Sequence, residues 1–158
     1  MDSALDALST AVAAVPDLPR PSGLGAADVL TDQVETLATA VAVLQRELAV
    51  RMAALEREGP PVTDVRGDAV RAGVPSSQAA SLRRLGVFAG HYPDLAQAWR
   101  SGGISTDQVA AVEHGAKKLA TTPQRNQLVE LVLPHLPHLA LRETRRLIAA
   151  TLDLIDPG

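Results

Sequence analysis

Apolar residues recur at Leu30, Val34, Leu37, Val41, Leu44, Leu48 and Leu55, with Arg51 holding the one polar place in the series. The spacing alternates four and three, and neither Pro nor Gly interrupts before Gly59. A strand repeats every two residues, so this heptad spacing is compatible only with a helix that carries one apolar stripe. It predicts one long helix over 29–58. The rest of the chain agrees with that class. It holds 27 Ala, 22 Leu and 16 Val against 3 Ile and 3 aromatics, and Ala and Leu lead the helix scale while sheets favour β-branched and aromatic side chains. The expected fold is all-α, one long helix packed on a bundle of shorter ones.

The positions flanking the stripe (Gln33, Ala38, Ala40, Gln45, Met52, Ala54) are uncharged, with Glu47 the exception. Free two-stranded coiled coils usually carry charge there. The wide face therefore suits other helices of the same domain, or a second copy of the chain. Val34, Val41 and Leu48 alternate with Leu30, Leu37 and Leu44, and Val followed by Leu is the order that parallel dimers favour. A homodimer seamed by these six residues is expected.

Breakers divide the remainder. Pro16, Pro19, Pro21, Gly23 and Gly25 crowd one segment, so 1–27 reads as a short helix followed by a linker, and 28–158 as the helical domain. Shorter helices are expected near 64–72, 76–89, 94–101, 105–119, 123–133 and 140–154. Gly73 suits a left-handed helix end. Ser105-Thr106-Asp107-Gln108 is a capping box, Thr122-Pro123 a cap followed by proline, and Pro134 and Pro137 break the last run.

The charge sums to −3 and is unevenly spread: four basic and nine acidic residues before position 61, eleven and nine after it. Neither part is basic enough to imply nucleic acid by charge alone. No apolar run reaches the length of a membrane span, and the first residues are acidic where a secretory signal is positive, so a cytoplasmic protein is the default expectation.

Reaction chemistry finds little to stand on. There is no Cys, which removes thiolate metal sites and cysteine nucleophiles. His135 and His138 are separated by Pro137 and have no nearby carboxylate; His91 and His114 stand alone; Gly102-Gly103 lacks a P-loop lysine. No catalytic residue, metal, cofactor or small-molecule substrate is expected. Phe88, Tyr92 and Trp99 fall within twelve residues, without basic residues among them, and read as core joining helix 76–89 to helix 94–101 rather than as a base-stacking platform.

Residues 64–85 have the outline of a helix-turn-helix, with Arg83 and Arg84 on its second helix. Lys117 and Lys118 form another basic pair. Arg142, Arg145 and Arg146 share one face of a helix whose other face carries Leu141, Ile148, Leu152 and Ile155. These seven residues are the candidates for DNA contact.

Three longer stretches have a familiar order: Gly73-Val74-Pro75-Ser76-Ser77-Gln78-Ala79, then Tyr92 to Val109 with Ala98-Trp99-Arg100-Ser101-Gly102-Gly103-Ile104-Ser105-Thr106-Asp107-Gln108 as its most specific part, then Leu139 to Leu147 and the terminal Asp156-Pro157. This arrangement resembles the domain of unknown function 222 family, the thirteen-E-twelve repeat proteins, over about 30–157. Pro75 and Ala140 stand where that family often has serine caps. The resemblance implies a helical domain of the kind found before an HNH nuclease domain. The His-Asn-His motif is absent from this sequence, so no nuclease role passes to any residue. Two functions follow as expectations: a non-catalytic, DNA-associated module of an HNH-endonuclease-like protein, or a protein–protein interaction module that dimerises without DNA.

Overall fold

The computed structural model describes residues 2–158. Among them are eight α-helices and no strand: α1 Ser3–Ala14, α2 Ala26–Glu58, α3 Val65–Arg71, α4 Ser76–Gly90, α5 Pro93–Arg100, α6 Thr106–Ala116, α7 Thr122–Val132 and α8 Leu141–Ile155. The chain divides between Ala40 and Val41 into two units, so the boundary lies inside α2 and not in the Pro/Gly segment where the sequence places it. The physical reason is burial: among residues 2–40 no side chain is buried.

In the first unit α1 starts from Asp2, whose carboxylate accepts from the Ala4 amide, and a 3₁₀ turn at Val15–Asp17 follows. The Gln33 side chain donates to the Pro19 carbonyl at 2.8 Å. That bond ties the Pro-rich segment to α2.

The second unit holds the core. Leu82, Leu85, Leu95, Trp99, Ile104, Val109, Val112, Leu128, Val132, Leu136 and Ile148 are buried together. α8 lies against both α6 and α7, α3 pairs with α4, and α4 also meets α5 and α6. On α2 only Ala49 and Met52 are buried. The sequence reading places Met52 beside the stripe, yet it is one of the two residues that anchor the helix. Gly86 on α4 explains this. A Cβ at that position would overlap the Ala49 carbonyl, so only glycine lets the two backbones meet there.

The punctuation acts mostly as expected. Gly73 takes φ +110°, and the Gly73 and Val74 amides donate back to the Val70 and Ala69 carbonyls, the paired bonds of a Schellman helix end. Ser105 and Gln108 form their capping box. The cap of α7 is Thr121, not Thr122: a second capping box joins Thr121 to Gln124 and moves Pro123 one place inward. Pro134 and Pro137 do not open a loop but sit in a 3₁₀ helix at Leu133–His138. The three-residue repeat of that helix tolerates a missing N–H that a longer α-helix would not. Pro75 and Ala140 are the N-caps of α4 and α8, and neither supplies a side-chain bond.

Glu47 on α2 accepts from Arg100 Nε at 2.9 Å and also pairs with Arg51 one turn along. The Arg100 bond, then the Arg51 bond, hold its carboxyl below the usual carboxylate range. A carboxyl depressed on folding stabilises the native state above its unfolded pKa, and that contribution is lost as pH falls through the folded value. The Glu47 side-chain carbon should therefore titrate by NMR below the model-peptide value of 4.5. Arg100→Gln should return it toward that value; an unchanged midpoint would show that the bond does not persist in solution.

Candidate functional site

Two features of the surface bear on function: an unpartnered apolar stripe and a set of basic side chains. The stripe lies along α2. In the first unit Leu30, Val34 and Leu37 are 38%, 65% and 39% exposed; in the second, Val41 and Leu44 are 52% and 43% exposed. Leu48, the sixth expected seam residue, departs from the series. It is half-buried and packs on the core of its own chain. Ala49 and Met52, which hold α2 to α4, are each one residue along from Leu48 and Arg51, about 100° around the helix. The intramolecular contact thus centres on a neighbouring face and takes in Leu48, while Val41 and Leu44 stay largely exposed.

Beside Val41, Leu44 and Leu48 runs a shallow groove of about 280 Å³, closed on its far side by Val74, Pro75 and Leu82. The turn between α3 and α4 builds that wall. The acidic residues of the first half of α2, Asp28, Asp32 and Glu35, fall between the stripe positions on the outer side of the heptad. Between Leu30 and Leu44, two such stripes facing each other would bring no like charges together. α1 carries a second exposed series, Leu5, Leu8 and Val12, and has no buried residue at all.

The seven basic candidates fall into four settings, Arg145 belonging to two of them. Arg83 donates through Nε to Glu56 at 2.8 Å, a bond that raises its pKa. Arg84 and Lys117 share one carboxylate: Arg84 Nε lies 2.9 Å from Glu113 Oε2, and Lys117 Nζ 3.4 Å from Glu113 Oε1. Lys118 and Arg145 border a cleft of about 530 Å³ between α6 and α8, floored by Ala111, Gly115, Ile148 and Leu152. Arg142, Arg145 and Arg146 are exposed, and among the described residues none of them makes an ion pair.

The helix-turn-helix outline exists as α3, a four-residue turn and α4. Its second helix is already committed, because Ser76 accepts from Arg66 Nη2 at 2.9 Å while Arg83 and Arg84 are held by acids. Phe88 and Tyr92 lie 5.1 Å apart between ring centres, tilted by 56°. Trp99 is the aromatic that the core buries completely, its Nε1 donating to Thr106 Oγ1 at 3.1 Å. The other two are only half-buried and border a cleft, so the aromatic cluster is not wholly core.

His135 and His138 are both exposed, and among the described residues no three metal-binding side chains converge. No helix among those residues is long and apolar enough to cross a membrane. Compared with protein-family models, curated proteins and solved structures, the chain matches none.

Proposed function

We propose that the chain is a non-catalytic interaction module that forms a homodimer through the apolar stripe of α2. The observation that carries this reading is that Val41 and Leu44 lie largely in the solvent in the second unit while Ala49 and Met52 anchor α2 there, and that Leu30, Val34 and Leu37, exposed in the first unit, continue the same heptad spacing in the sequence. Covering one Leu or Val side chain is worth about 1.5–3 kcal/mol. A second copy offers the same spacing and the same Val–Leu order, with no charge on the seam between Leu30 and Leu48. Sedimentation equilibrium at tens of micromolar tests it, with a dimer expected and a monomer returning the stripe to solvent.

A second reading, the DNA-associated module of an HNH-endonuclease-like protein, draws on the likeness to the domain of unknown function 222 family. What favours it on the surface is the unpaired set Arg142, Arg145 and Arg146. Three phosphate contacts give a slope of about −2.7 in log affinity against log salt, or about 40-fold weaker binding at 200 than at 50 mM salt. Fluorescence anisotropy with a duplex at low salt is expected to register binding that replacement of all three by Ala removes. Binding indifferent to that replacement would sink this reading.

A further inference from the structure

The cleft between α4, α6 and the start of α7 brings together what the sequence scatters. It measures about 590 Å³, within the range of small-molecule sites, and is bordered by Phe88, Tyr92, Arg84, Lys117, Arg125 and Asn126. At its base sits Glu113, only 5% exposed. That carboxylate takes Arg84 by Nε alone, and among the described residues both Nη groups of Arg84 have no intramolecular acceptor. Lys117, one helical turn beyond Glu113, spends one of its three donors on the same carboxylate. Arg125 donates to the Ala120 carbonyl at 3.2 Å and adds a third positive charge. Three cations around one acid leave a surplus of two positive charges beside two half-buried rings.

We propose that this cleft binds a small molecule that joins a flat ring to an anionic oxygen group, a carboxylate or a phosphate. The anion meets Arg84 and Lys117, whose unused N–H groups supply charge-assisted bonds. The ring lies against Phe88 and Tyr92, where apolar burial adds to binding. Glu113 does not repel the ligand, because both cations already neutralise it. Its part is to hold the Arg84 guanidinium in one place, which lowers the entropy cost of capture. No sequence signal pointed to a small molecule.

The test is an amide NMR titration of the intact chain with adenosine 5′-monophosphate, benzoate, inorganic phosphate and adenosine. Saturable shifts confined to the neighbourhood of Tyr92, Lys117 and Asn126 are expected for the nucleotide or for benzoate, and whichever binds identifies the source of the anion. Adenosine and phosphate alone should bind more weakly. Lys117→Gln, at a side chain 60% exposed and safe for folding, should weaken binding about tenfold, the ordinary value of a charged hydrogen bond. Arg71→Gln, on α3 at an exposed side chain outside the cleft, should leave it unchanged. The proposal is overturned if neither ring-bearing anion shifts these amides at about 10 mM, a concentration at which even millimolar ligands register. Phosphate binding as tightly as the nucleotide, or affinity untouched by Lys117→Gln, overturns it equally.

Discussion

Leu37→Glu together with Leu44→Glu should turn the dimer into a monomer without unfolding the chain. Both side chains are about two-fifths exposed within one copy, so little of the intramolecular core depends on them. In a dimer each substitution occurs twice. With about two-fifths of each side chain left to cover, and taking the low end of about 1.5 kcal/mol for a whole side chain, the four leucines lose about 2.4 kcal/mol of association energy, or about 60-fold in Kd. The introduced carboxylates add repulsion across the seam, so this is a lower bound. Sedimentation should report a monomer over the whole concentration range in which the parent chain is dimeric. Circular dichroism should keep the helicity of α3 to α8, because their core is assembled from Val65 onward with Ala49, Met52 and half-buried Leu48 from α2, and neither substituted residue among them. A double variant that remains a dimer would place the interface elsewhere. Loss of helicity throughout would mean that the stripe belongs to the chain's own core after all.

Gln108→Leu should strongly destabilise the second unit. The Gln108 side chain is 5% exposed and joins four partners. Its Oε1 accepts from the Ser105 amide at 2.9 Å, and its Nε2, with two hydrogens to donate, lies 2.8, 3.0 and 3.0 Å from the Leu136 carbonyl, the Leu139 carbonyl and Thr144 Oγ1. One amide thus caps α6, satisfies two carbonyls around the end of the 3₁₀ helix and fixes the first turn of α8. Leucine fills the space and leaves those groups unpaired. At about 1 kcal/mol for each bond, more where a buried group is stranded, the cost is at least about 3 kcal/mol. For a chain of this size that lowers Tm by about 6–12 °C.

Two companions separate the cap from the tertiary clamp. Ser105→Ala removes the cap hydroxyl alone and should cost about 1 kcal/mol. Gln108→Glu keeps the acceptor for Ser105 and loses the donor. Ionised, it sets a carboxylate against two carbonyls; protonated, it recovers one donor. Its folded pKa is therefore raised, and linkage makes its stability greatest in acid and falling as pH rises past the unfolded value toward neutrality. Equal melting temperatures for Gln108→Leu and Ser105→Ala would reduce Gln108 to an ordinary capping residue.

Much of the fold was legible because its signals are local. The heptad of α2, the glycine end of α3 and the Ser105–Gln108 box are decided by residues three or four apart, so spacing alone exposes them. Thr121 was missed for the same reason in reverse: Thr122 is equally suited to cap, and the choice fell to the position whose partner three residues later is Gln124. The 3₁₀ helix at Leu133–His138 escaped because Pro134 and Pro137 read as breakers unless the tighter repeat is considered.

The candidate sites were less legible. Arg83 and Arg84 look alike in the sequence, but they project from α4 toward different neighbours and are held by Glu56 and Glu113, 27 and 29 residues away. Arg84 stands one turn before Phe88 on α4, but no spacing links it to the other cations; folding brings Lys117 from the end of α6 and Arg125 from α7. By itself the sequence determined that the chain is helical, where most helices start and stop, and that α2 carries an apolar stripe. Only the tertiary structure decided which face of α2 the core would take, and it took the one where Ala49 meets Gly86. Helix formation depends on neighbours within one turn, whereas the rotation of a helix depends on how closely a distant backbone can approach, and no spacing along the chain encodes that distance.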